Sequence, residues 1–121
     1  MLRGLVQVIL FVQDMQRQVE FYRDQLGLPV LQPDGLRDYR GEFWVTLDAG
    51  GCALALHGGG QQRQGEDAPK LVFGVRDMEA VREVLLARGV PLGDVRAVAP
   101  GIEICDGRDP EGNAFSLQAR D

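Results

Sequence analysis

The sequence predicts an α+β fold in which one strand–helix–strand–strand–strand module occurs twice in a single chain. Three observations carry this. The chain matches itself at an offset of 63 residues, Val12-Gln13-Asp14-Met15 over Val75-Arg76-Asp77-Met78. In each copy a β-like segment runs into an aspartate and then into a stripe of apolar residues at helical spacing. Each stripe stops at a glycine, Gly27 or Gly89, followed by short apolar segments and turn residues.

Taken in order, the first module (residues 1–57) opens with Val6 to Val12, where alternation sets Val6, Val8, Leu10 and Val12 on one face. Asp14 is placed to cap a helix by accepting a free backbone N–H, and Met15, Val19, Tyr22 and Leu26 form its stripe. Leu28-Pro29-Val30 follows as a short third segment. Phe43 to Leu47 and Cys52 to His57 then flank Ala49-Gly50-Gly51 as a hairpin.

Residues 58–68 read as a flexible polar linker that opens with Gly58-Gly59-Gly60. The second module (69–121) repeats the plan. It has Leu71 to Val75, a helix with Met78, Val81 and Leu85 on one face, Val90-Pro91-Leu92, and strands Ile102 to Asp106 and Ala114 to Gln118. The turn between those strands contains Asp109-Pro110-Glu111-Gly112-Asn113, in which proline fixes one dihedral and Gly112-Asn113 tolerate positive φ.

With 121 residues the chain has the size of one domain, here of two modules. Thirteen basic side chains against eighteen acidic ones leave −5, with no basic stripe, so nucleic acid is not expected as a partner. The longest apolar run, Val8 to Val12, cannot cross a bilayer, and neither a membrane partner nor a secretion signal is expected. Two cysteines, Cys52 and Cys105, do not make a disulfide framework and are expected reduced and buried in a cytoplasmic protein.

Each strand has a second row of side chains opposite its apolar one. These rows are Gln7, Ile9, Phe11; Ala53, Ala55, His57; Lys70, Val72, Gly74; and Ala114, Ser116, Gln118. Small residues alternating with single polar groups suit either a solvated sheet face or a concave ligand site. If Phe43, Val45 and Leu47 face the helix, Trp44 and Thr46 join these mixed rows, where an indole can stack on a flat ligand. Asp106, before Gly107, reads as a turn residue within reach of Lys70, the only lysine beside twelve arginines.

The segments Val12-Gln13-Asp14-Met15, Phe21-Tyr22, Leu26-Gly27-Leu28 and Asp109-Pro110-Glu111-Gly112-Asn113 together resemble the vicinal oxygen chelate superfamily. That group includes glyoxalase I, bleomycin-resistance proteins and extradiol dioxygenases. The resemblance implies a cup-shaped mixed sheet from paired βαβββ modules, helices on the outer face, a homodimer and a ligand held in the cup. The family's metal-ligand positions fall on Gln7, His57, Lys70 and Ser116. Of these, His57 is a credible ligand and Gln7 a weak one. An ammonium such as Lys70 has no lone pair, and Ser116 stands where the family has glutamate.

No metal or other cofactor is therefore expected. The implied function is a small-molecule binding protein that uses Gln7, Phe11, Trp44, Thr46, His57, Lys70, Ser116 and Gln118. The alternative is a glyoxalase-like lyase or isomerase, or a dioxygenase-type enzyme, with His57 and Lys70 as catalytic acid–base groups. A third reading is an assembly role alone.

Overall fold

A computed structural model describes residues 5–60 and 69–121. Residues 61–68, most of the expected linker, lie outside the described residues. The chain divides into two compact units, 1–64 and 65–121.

The first unit runs β1 (Gln7–Phe11), α1 (Met15–Val19), a π-helical segment (Glu20–Gln25), β2 (Val30–Gln32), β3 (Trp44–Asp48) and β4 (Ala53–His57). Its four strands lie in the order β1-β4-β3-β2, with β1 parallel to β4 and the other pairs antiparallel. Asp14 caps α1 as expected, accepting from Arg17 N–H at 3.1 Å. Past Val19 the helix widens, and Leu26 N–H reaches back five residues to the Phe21 carbonyl at 2.9 Å. This wider winding buries Phe21 and Tyr22 side by side, their rings edge-on. Val45, Leu47, Leu54 and Leu56 are buried on the sheet face that meets the helix. The hairpin turn holds Gly50 at φ +99°, where a side chain is disfavoured.

The second unit runs β5 (Leu71–Gly74), α2 (Met78–Ala87), β6 (Arg96–Ala99), β7 (Ile102–Arg108) and β8 (Ala114–Arg120), in the sheet order β5-β8-β7-β6. Asp77 repeats the cap, accepting from Ala80 N–H at 3.1 Å. Met78 and Leu85 of α2 share a core with Val90, Cys105, Phe115 and Leu117. The fold class is thus α+β, with two similar modules, each a four-stranded mixed sheet and a helix. No helix of the described residues is long and apolar enough to cross a membrane.

Five expectations need correction. Val6 is 72% exposed, because it lies before β1, where strand alternation no longer directs its side chain. Phe43 does not face the helix: β3 starts one residue later, and the Phe43 ring is 61% exposed. The strand after α2 is β6 and not Val90-Pro91-Leu92, from which Leu92 alone bridges to Gly107. Gly58 and Gly60 belong to the first unit, donating to the carbonyls of Phe43 (2.8 Å) and Val12 (3.0 Å). Cys52 is half-buried, and only Cys105 is fully buried; both thiols are free.

Candidate functional site

In the first unit the mixed rows align across three strands. Phe11, His57 and Trp44 are register partners, as are Ile9, Ala55 and Thr46, and Gln7, Ala53 and Asp48. Side-chain alternation therefore sets all nine on the sheet face away from the helix. The His57 ring is enclosed by three aromatics, with centroids at 4.8 Å (Phe43), 4.9 Å (Phe11) and 5.5 Å (Trp44). Phe11 and Trp44 remain 53% and 38% exposed.

His57 Nδ1 lies 2.6 Å from the Gly58 carbonyl oxygen. A carbonyl only accepts, so Nδ1 carries a proton, and in the neutral tautomer that fits this contact Nε2 is the acceptor. Phe43 is the site residue that reading the sequence missed. Its signal lay in the glycines after His57: a Cβ on Gly58 or Gly59 would stand 3.1 or 3.2 Å from the Phe43 ring.

Gln7 and His57 share this face but do not converge. Gln7 pairs with Ala53 and Phe11 with His57, so four residues of strand separate them, roughly 13 Å at 3.3 Å per residue. Thr46 lies between, its hydroxyl 3.5 Å from the Gln32 carbonyl.

In the second unit the expected residues do meet, at a carboxylate. Asp106 lies within β7 and not in a turn. Its Oδ1 accepts from Ser116 Oγ at 2.5 Å and from Lys70 Nζ at 3.1 Å, and its Oδ2 accepts from Arg96 at 2.6 Å. The donors come from β8, from the residue before β5 and from β6, so one carboxylate ties together all four strands. The Ser116 hydroxyl, followed by the Arg96 guanidinium, holds the Asp106 carboxyl well below the usual carboxylate range. Ser116 is buried, while Lys70 and Asp106 stay 47% and 41% exposed at their side chains. Gln118, two residues along from Ser116 on the same row, accepts weakly from Arg120 at 3.4 Å.

This chemistry does not suit a divalent ion. The β4 partner of Gln7 is an alanine, and Lys70 and Ser116 both spend a proton on Asp106. Among the described residues no three His, Cys, Asp or Glu side chains are grouped to hold a metal.

The family model of the Glyoxalase/Bleomycin resistance protein/Dioxygenase superfamily matches residues 4–117. The chain belongs to this superfamily. Among solved structures it resembles SMU.1112c at 27% identity and TM-score 0.79, covering 98% of this chain and 99% of that one. The glyoxalase family protein from Enterococcus faecalis matches at 21% identity and TM-score 0.76, covering 96% and 97%. TnmS3, an antibiotic binding protein from Streptomyces sp. CB03234, matches at 21% identity and TM-score 0.75, covering 99% and 98%. The last two likenesses speak for the superfamily fold alone. No curated protein matches the chain.

Proposed function

We propose that this superfamily member is a small-molecule binding protein that works without a catalytic metal and takes a flat, aromatic guest on the open face of its first unit. The observation that carries this reading is the set of partly exposed rings, Phe11, Phe43 and Trp44, gathered around His57. Apolar rings left open together on one sheet face favour an interaction site, and each ring pair adds about 0.5–1.5 kcal/mol beyond area burial. His57 Nε2 adds one acceptor for a guest's N–H or O–H.

Two further observations support binding over catalysis. The donor set above offers one imidazole, His57, and no carboxylate, and Lys70 and Ser116 fill the positions where the superfamily's metal ligands stand. Lys70, as a cation donating to Asp106, is poorly placed to act as a base. That TnmS3 binds an antibiotic on the same fold is an analogy in the same direction. From the family resemblance, we take the protein as a cytoplasmic homodimer.

Trp44 is the sole tryptophan, so its fluorescence reports on this face directly. Titration with a planar tricycle such as acridine should give saturable quenching at one equivalent per chain. Phe43→Ala should weaken it by up to about tenfold, or roughly 1.4 kcal/mol. The same preparation should carry divalent metal well below one ion per chain. Absence of quenching across a panel of planar aromatics, or near-stoichiometric metal with turnover of the methylglyoxal–glutathione adduct, would overturn the reading.

A further inference from the structure

The second unit contains a cavity of about 540 Å³, within the range of small-molecule sites. It lies at the end of the sheet where β7 turns into β8, and Lys70, Pro91, Leu92, Asp106, Arg108 and Phe115 line it. One wall is the segment Pro91-Leu92-Gly93, which is firmly held. Gly93 N–H donates to the Asp106 carbonyl at 2.9 Å, and the Gly93 carbonyl accepts from Arg82 Nε at 3.0 Å. The cavity is therefore already formed.

The charges in this wall are unequal in what they leave unused. Asp106 accepts from Ser116, Lys70 and Arg96. Asp109 accepts from the backbone N–H of Glu111 and Asn113 and from Asn113 Nδ2, at 2.7–2.9 Å. Both carboxylates are thus committed. Among the described residues, Lys70 bonds only Asp106, and Arg108 bonds only the Gly112 carbonyl, at 2.7 Å. An ammonium has three N–H donors and a guanidinium five, so most of theirs stay open to a guest. Two cations and two carboxylates line the cavity, and Arg96 further offsets the charge of Asp106.

We propose that this cavity is a second binding site, distinct from the aromatic face of the first unit, for an organic acid. The carboxylate is received by Lys70 and Arg108, because a group that only accepts matches a wall with donors to spare. The apolar body lies against Pro91 and Leu92.

The test uses 1-naphthoate as probe and its neutral carboxamide as control, with the full-length protein observed by ¹⁵N–¹H NMR. Naphthoate should shift the amides of Gly93, Gly107 and Ala114 saturably, and the carboxamide should bind at least about tenfold more weakly. Lys70→Gln and Arg108→Gln change exposed side chains that leave the core intact. Each should cost about tenfold in affinity, the value of one hydrogen bond to a charged group. Equal binding of the carboxamide, or unchanged affinity in both variants, would sink the proposal. Shifts confined to Phe11, Trp44 and His57 would also overturn it while leaving the first-unit reading intact. Naphthoate shifts at Gly93, together with no Trp44 quenching across the panel of planar aromatics, would uphold the second site and overturn the first-unit reading.

Discussion

Ser116 donates its hydroxyl proton to Asp106 Oδ1 across 2.5 Å, joining a buried residue of β8 to a carboxylate on β7. The bond is short because its acceptor is ionised. The same oxygen accepts from the Lys70 ammonium at 3.1 Å, using one of its three N–H donors. The second sheet is stitched from edge to edge through one side chain.

Removing that stitch should cost stability. Asp106→Ala strands the Ser116 hydroxyl and lets Lys70 and Arg96 go. Both cations are more than a third exposed, so water screens their share, and a loss of about 1–2 kcal/mol is expected. Urea midpoints at neutral pH measure it. Because the folded carboxyl value is lowered, its contribution is complete above the ordinary value of 3.8. It fades as pH falls below that point toward the lowered folded value. The gap between wild type and variant should hold steady over roughly pH 5 to 8 and narrow by about pH 3. An unchanging gap in acid would assign the loss to packing.

Gly107 should not tolerate a side chain. A Cβ there would stand 2.6 Å from Phe115 Cζ, 2.9 Å from Cε1 and 3.0 Å from Leu92 Cδ2. Phe115 is fully buried, so its ring must shift within the core to make room. Gly107→Ala should destabilise by about 1–3 kcal/mol, with partial recovery when Phe115→Leu is added. Thermal melts of the single and double variants decide it.

The two caps make a matched pair of tests. Asp14→Ala and Asp77→Ala each remove an acceptor 3.1 Å from a first-turn N–H, and each should cost about 0.5–2 kcal/mol. The caps lie in separate units, so the double variant's loss by denaturant unfolding should equal the sum of the two.

What could be read from the sequence was whatever depends on local spacing. The caps at Asp14 and Asp77, the positive-φ stops at Gly27 and Gly89, and the alternation placing Leu54 and Leu56 opposite His57 all follow from periods of 3.6 and 2. Register is not local. Parity correctly set Gln7 and His57 on one face, but only the pairing of Gln7 with Ala53 shows how far apart they lie along it. Asp106-Gly107 has the composition of a turn, yet the glycine is there to admit the Phe115 ring, and Asp106 continues a strand. β6, exposed throughout, offers no apolar alternation to find.

The π-helical segment explains a mismatch between the two modules. The stretch from Asp14 to Gly27 is one residue longer than that from Asp77 to Gly89. A single-residue insertion in a regular helix would rotate everything after it by about 100° and misdirect the following strands. Here the widened coil absorbs the extra residue, so the tandem duplicates could diverge in length without disturbing what lies downstream.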